Sequence, residues 1–312
     1  MLIFEDAKGL ELSSTLDCGQ CFRWLPQKEG WQGVAEGRSV LAYTKGNALI
    51  LEGAGEEDRE FWANYFALDL DYPALQERFC AGNRRLKLCV EENPGIRVLR
   101  QPFFETLCTF LISQNNNIAR IRGIVERLCA LAGEPVAYGR FSFPDPARLA
   151  GFSLQELAPL RAGWRSAYLL NAAQQVTLGQ ISEEDLRALP LDQARLRLQS
   201  LRGVGPKVAD CVLLFGLGRW QAFPRDVWIN RAMDTLFPRG IPVCCRSQAG
   251  IAQQYIFAYA RAHLPRGGEK GKRKSRIDFI PPGRYTIGVE KEKGKDPPHG
   301  RLFCCPDEYD YF

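Results

Sequence analysis

Lys207 stands in the run Leu201-Arg202-Gly203-Val204-Gly205-Pro206-Lys207-Val208-Ala209-Asp210, and Asp226 follows nineteen residues after it. The two types at this spacing combine an amine nucleophile with a grip on an anion. Gly203 and Gly205 flank one residue between two helical patterns, so the backbone can turn tightly and bring bare N–H groups close to an anion. Pro206 suits the first helical position, where its missing N–H would have been an orphan donor anyway. A helix N-terminus beside such a hairpin holds phosphate without touching a base, which suits a protein that grips DNA of any sequence. Lys207 falls in the first turn of that helix, where the positive end of the helix dipole and partial desolvation both disfavour the ammonium form. Asp226 lies after Phe223-Pro224-Arg225 and before Val227, Trp228 and Ile229. It reads as the N-cap of another helix, with a carboxylate able to face a developing positive charge. Singly, the two residues are a solvated lysine and a plain cap; joined to the hairpin they read as a covalent site.

Other residues have types and spacings suited to holding a flat ring. Cys211 is four residues after Lys207, so both project from one helix face; its thiol can pack on a base or be a small buried hydrophobe. Gln253 and Phe257 repeat that spacing, placing an amide that can read a base edge beside a ring that can stack. Phe257 also suits a core, since Ile251, Tyr255 and Ile256 are apolar neighbours on the same helix. Asn115-Asn116-Asn117 interrupts two apolar helices and is either a turn with a cap or a polar loop able to enter a base stack, and Arg120 follows it. Gly19, in Cys18-Gly19-Gln20-Cys21-Phe22-Arg23-Trp24, reads by itself as a bulge glycine in a twisted strand.

The elements that must position these residues follow from hydrophobic periodicity. Residues 1 to about 53 alternate apolar and polar positions, with hairpin turns at Lys28-Glu29-Gly30, Glu36-Gly37-Arg38 and Lys45-Gly46-Asn47, and so form an antiparallel meander. From Glu56 the period becomes helical, with helices expected at 56–68, 72–79, 102–113, 118–131, 153–160, 166–176, 191–201, 206–217, 226–236 and 249–263. Strands segregated from helices give an α+β class: a sheet domain with flanking helices over 1–100 and an all-helical body of two subdomains over 101–264. Residues 265–312 form a third region, with six basic residues and one acidic one from Arg266 to Arg276 and breaks at Pro281-Pro282 and Pro297-Pro298. That composition reads as a mobile basic tail that either adds phosphate affinity or has no task.

Composition narrows the class further. A net charge of +5 suits a polyanionic partner without requiring one, and no apolar run is long enough to cross a membrane. The eleven cysteines are odd in number and lie mostly in apolar segments, which points to buried thiols in a reducing compartment. Cys18 and Cys21 form a C-x-x-C with no second pair nearby. Only His263 and His299 exist to complete a zinc site, so no metal or cofactor is expected.

The hairpin lysine, the later aspartate and the strings Gln114-Asn115-Asn116-Asn117-Ile118-Ala119-Arg120-Ile121 and Gly250-Ile251-Ala252-Gln253-Gln254-Tyr255-Ile256-Phe257 resemble the helix-hairpin-helix (HhH-GPD) DNA glycosylases, most closely the bifunctional 8-oxoguanine enzymes. The likeness covers roughly residues 1 to 264. It implies that Lys207 attacks the anomeric carbon of the damaged nucleotide, that Asp226 stabilises the sugar cation, and that Gly203 and Gly205 hold DNA phosphate. It implies that Cys211 and Phe257 sandwich the extruded base with Gln253 at its edge, and that the Gly19 carbonyl accepts the N7 hydrogen that 8-oxoguanine has and guanine lacks. Asn115 would fill the vacated space, Trp164 would wedge beside the orphaned cytosine, and Arg120 and Arg165 would read that cytosine. The implied partner is duplex DNA with 8-oxoguanine opposite cytosine, acted on by a monomer without a membrane, in the cytoplasm at the nucleoid if bacterial and in the nucleus if eukaryotic. Two positions depart from the pattern: Trp164 stands where tyrosine is more usual, and Trp228 where animal members have histidine. The four-cysteine iron-sulfur loop of endonuclease III and the adenine glycosylases is absent, since Cys244 and Cys245 are adjacent and the helix after them has none. Two rival readings stay open, a glycosylase/lyase of this superfamily for another oxidised base and a DNA-binding module without catalysis.

Overall fold

Alternation from Trp24 to Glu52 produces four strands joined by the expected tight turns: β2 (Trp24–Gln27), β3 (Gly30–Ala35), β4 (Arg38–Lys45) and β5 (Ala48–Glu52). In the computed structural model, which describes residues 1–7 and 9–265, these form an antiparallel meander closed by β1 (Leu2–Phe4) against β5, in the order β1-β5-β4-β3-β2. Of the first 23 residues, therefore, only Leu2–Phe4 belongs to the sheet. A short helix α1 (Leu12–Leu16), capped by the Glu11 carboxylate, and a run of bends separate β1 from β2. The Cys18–Trp24 motif is thus a bend that becomes strand only at Trp24, and Gly19, at φ +92°, is not a strand bulge. The reason lies in Gln20, whose buried amide donates to Thr15 O at 2.8 Å and Arg97 O at 2.7 Å and accepts from Leu99 N at 2.9 Å. One side chain here satisfies backbone groups that a sheet ladder would otherwise have to satisfy.

The sheet buries its apolar face against α2 (Arg59–Tyr65) around Trp24, whose indole N–H donates to the Tyr65 hydroxyl at 2.8 Å and whose ring meets Trp62 edge-on. Helices α3 (Tyr72–Gly82) and α4 (Arg84–Glu92) follow, and although they lie before residue 100 their apolar residues Phe79, Leu86 and Val90 join the core of the helical body. That core surrounds α5 (Phe103–Ser113), a helix with nine of its eleven residues buried. Around it stand α6 (Ile118–Ala132), α7 (Pro146–Ala150), α8 (Arg165–Thr177), α9 (Glu183–Ala188), α10 (Leu191–Gln199), α11 (Pro206–Cys211), α12 (Val227–Thr235) and α13 (Ala249–His263), with a small hairpin of β6 (Pro135–Val136) and β7 (Arg140–Phe141) after α6. Arg23 ties the start of β2 to this body, pairing with Glu126 at 3.2 Å and donating to Cys129 Sγ at 2.8 Å.

The expected helix over 153–160 is only a turn and a short 3-10 segment, Ala158–Leu160. Ser153 and Glu156 form a reciprocal cap, but Pro159 has no N–H to donate and its ring opposes the carbonyl four residues earlier. Short helices α4, α7 and α9, which periodicity over a long window passes over, are set by the side-chain caps Asn83, Asp145 and Ser182. The expected basic tail over 265–312 lies, beyond Pro265, outside the described residues.

Candidate active site

Lys207 is the second residue of α11, and the hairpin before it turns at Gly203 with φ +87°, a conformation that glycine adopts without steric cost. Gly203 also has no room for a side chain, since an added Cβ would lie 2.2 Å from the Tyr168 ring. Gly205 is different. Its backbone is extended with negative φ, and nothing stands within 4 Å of where its Cβ would be. Its bareness leaves the N–H groups at the start of α11 open to the outside. Helix α11 continues through a π turn over Val212–Gly216, and Phe215 of that turn stacks on Phe110 of α5 with centroids 5.4 Å apart. The Lys207 ammonium lies 5.1 Å from the centre of the Phe110 ring, against this aromatic wall.

Asp226 caps α12 as expected, accepting from Ile229 N at 2.8 Å. Lys207, Asp226, Cys211, Gln253, Phe257 and Gly19 all line one cavity. They come from α11, the start of α12, α13 and the bend after α1, so four separate stretches of chain converge on one space. Among the described residues no ion pair joins Lys207 to Asp226, though both line the same cavity. Burial pushes the Cys211 thiol up to about 11, the nearby Asp226 adds to the rise, and the charge and hydrogen bond of Lys207 pull the other way. The thiol is therefore neutral at physiological pH and offers a packing surface rather than a nucleophile. The cavity measures about 50 Å³ and is partly open to solvent. Phe257 is the one aromatic ring of the wall that is partly rather than fully buried. A larger cavity of about 450 Å³ lies against Phe104, Glu105, Phe143 and Glu183, but among the described residues no lysine, cysteine or histidine lines it.

Cys18, Phe110, Phe215, Pro224 and Gln254 complete the wall, and the sequence offers little to find them by. Phe215 is eight residues beyond Lys207, which is helical spacing for one face; Cys18, Pro224 and Gln254 are chain neighbours of Gly19, Asp226 and Gln253, and Phe110 alone is brought in by a separate element, α5.

A second cluster forms where α5 meets α6. Asn115 is exposed with φ +46°, between Asn116, whose amide donates to Ile112 O, and Asn117, which caps α6 by accepting from Arg120 N at 2.8 Å. Arg165 reaches this loop from the start of α8: its Nε donates to Gln114 O at 2.9 Å, one terminal nitrogen to both Gln114 O and Asn115 O, and the other to Ala162 O. Four of its five N–H groups are thus engaged with backbone, and one remains. Burial and the neighbouring charge of Arg120 hold the Arg165 guanidinium below its ordinary value. The half-exposed Trp164 ring lies 4.2 Å from that guanidinium and edge-on to Tyr168, the residue packed under Gly203. Tyr168 so connects the Trp164 loop to the lysine hairpin. Trp228 carries the Arg231 guanidinium 5.0 Å from its ring, which leaves a cation close to the residue that replaces histidine.

Residues 2–107 match the family model described as the 8-oxoguanine DNA glycosylase N-terminal domain, and residues 108–240 match that of the HhH-GPD superfamily of base excision DNA repair proteins. The fold superposes on MBOgg1 in complex with a low-affinity DNA ligand, with 35% identity, a TM-score of 0.79 and coverage of 83% of this chain and 95% of that one. It also superposes on the Clostridium acetobutylicum 8-oxoguanine glycosylase/lyase bound to duplex DNA with cytosine opposite 8-oxoguanine, at 32% identity and a TM-score of 0.76, covering 81% and 92% of the two chains. The N-glycosylase/DNA lyase of Saccharomyces cerevisiae is 30% identical over 70% of this chain, which spans 66% of the yeast protein's length.

Proposed function

The chain belongs to the 8-oxoguanine DNA glycosylase/lyase family of the HhH-GPD superfamily, and on that footing we propose that it excises 8-oxoguanine opposite cytosine with Lys207 as the attacking amine. The observation that carries this reading is the convergence of Lys207, Asp226, Cys211, Gln253, Phe257 and Gly19 on one cavity. DNA phosphate docks on the open N–H groups beside Gly205, which brings the nucleotide to the mouth of the cavity. The flipped base passes between Cys211 and Phe257, with the Gln253 amide at its hydrogen-bonding edge and the Gly19 carbonyl toward N7. Guanine would set an N7 lone pair against that carbonyl, two buried acceptors face to face, and is rejected.

The Lys207 lone pair then forms a bond to C1′ while the bond from C1′ to the base breaks and its electron pair leaves with the base. Asp226 faces the positive charge that builds on the sugar, an electrostatic role that a fixed N-cap carboxylate serves without reorganisation. Ring opening gives a Schiff base on Lys207, and loss of a proton from C2′ expels the 3′ phosphate. Asn115 and Trp164 occupy the gap left in the duplex. Arg120, exposed, and the one disengaged N–H of Arg165 face the orphaned cytosine, whose acceptors suit guanidinium donors.

The test is borohydride trapping on duplexes carrying 8-oxoguanine opposite cytosine, with thymine glycol and alkylated adenine duplexes as competitors. Wild type is expected to give a covalent adduct, and Lys207→Gln to bind the damaged duplex without an adduct or base release. Base release by the variant would make water the nucleophile, and equal turnover of the competitors would assign another target.

A further inference from the structure

Gln253 is not free to choose its orientation. Its Nε2 donates to the Pro224 carbonyl at 3.0 Å, and its Oε1 accepts from Nε2 of Gln254 at 2.6 Å. Gln254 is itself buried, and its Oε1 faces Cys18 Sγ at 3.6 Å, a thiol that also lies 3.3 Å from Thr15 O. The direction of this chain follows from its ends. The Pro224 carbonyl can only accept, so Gln253 must turn its NH₂ that way and its oxygen toward Gln254. Gln254 then has to present its own NH₂, which leaves its oxygen for the thiol. Burial holds the Cys18 thiol up at about 11, so a hydrogen remains on sulfur at neutral pH.

An amide flip is what distinguishes one purine edge from the other. A guanine-type edge sets an acceptor, O6, beside a donor, N1–H; an adenine-type edge sets a donor, the exocyclic amine, beside an acceptor, N1. One orientation of a glutamine amide matches the first pattern, and the flipped amide matches the second. We infer that Gln254 is a specificity-determining positioning residue, which locks the Gln253 amide in the orientation that accepts a guanine-type edge. The inference rests on the reading of Gln253 as the residue at the base edge. Gln254 does not touch the base in this account; it acts through Gln253, and Cys18 supports it from behind.

Two substitutions separate this role from packing. Gln254→Met keeps the volume but removes the donor, leaving Pro224 as the sole anchor. Gln254→Glu sets a carboxylate against Gln253, and a charge-assisted bond to the Gln253 NH₂ then outcompetes the Pro224 carbonyl and turns the amide over. The measurement is kcat/KM for base release from matched duplexes carrying 8-oxoguanine or 8-oxoadenine, with incision of a preformed abasic site as a report on fold and on the Lys207 amine. The 8-oxoguanine to 8-oxoadenine ratio is expected to fall about tenfold or more in Gln254→Glu and by a smaller factor, about threefold, in Gln254→Met, the size of effect that one mismatched buried hydrogen bond produces. A ratio within twofold of wild type in whichever variants fold, or an equal fall for both bases, overturns the inference. Absence of 8-oxoguanine release by wild type is a different outcome, and it overturns the functional reading on which the inference stands.

Discussion

Replacing Glu105 by glutamine is expected to change how the protein's stability depends on pH. Glu105 sits in α5 with only 5% of its surface exposed, and one of its carboxyl oxygens has no hydrogen-bond partner among the described residues. Burial pushes its carboxyl up from the ordinary 4.5 to about 7; Glu126 and Glu36 add to the rise, while Arg23 and Arg140 oppose it. Because the folded value lies above the unfolded one, the folded state holds the proton more tightly between pH 4.5 and 7. The stability that this proton supplies is fully present below about 4.5 and is lost as pH rises through about 7. A displacement of that size corresponds to about 3 kcal/mol, or a melting shift of roughly 6 °C for a chain of this length. Thermal melts of wild type and Glu105→Gln between pH 4.5 and 8.5 test this. The variant should gain on the wild type by about that amount across the interval, since glutamine cannot ionise. Parallel melting curves would show that the Glu105 carboxyl titrates alike folded and unfolded, which leaves no difference for glutamine to remove.

The hairpin glycines should respond in opposite ways. Gly205→Ala is expected to leave the melting temperature unchanged but weaken binding to undamaged duplex about tenfold in fluorescence anisotropy, by obstructing phosphate approach, whereas Gly203→Ala should cost about 2 kcal/mol or more by clashing with Tyr168 and straining φ. Equal stability losses for the two would remove the distinction drawn from their surroundings. Arg165→Lys keeps the charge but not the planar fork that grips Gln114 O and Asn115 O, and should lower excision opposite cytosine by about tenfold; full activity in single-turnover assays would show that the brace is dispensable. Phe257→Ala should reduce base release by about tenfold or more through lost stacking, while incision of a preformed abasic site, which presents no base, should fall much less. A proportionate loss on both substrates would place Phe257 in the fold rather than at the base.

Local rules determined much of what the residues themselves announce. A glycine hairpin, a proline at the first helical position and an aspartate before an apolar run specify the starts of α11 and α12, and the i,i+4 rule puts Lys207 with Cys211 and Gln253 with Phe257. Those signals act within a few residues, so they are legible without any knowledge of distant contacts. The pairing of β1 with β5 is not of that kind, nor is the replacement of strand by bend at Cys18–Arg23. Both depend on whether a segment finds its hydrogen-bond partners locally or from another part of the chain, as Gln20 does with Thr15, Arg97 and Leu99. Tertiary structure alone brought Phe110 under Lys207, and it alone made Gln254 part of the site. Successive helix residues point about 100° apart, so periodicity assigns Gln253 and Gln254 different surroundings; only the approach of Pro224 and of the Cys18 bend to α13 makes their direct bond the middle of one longer hydrogen-bonded chain. The cavity is a property of that packing, since its volume and its walls exist only after five separate stretches have closed on the same point.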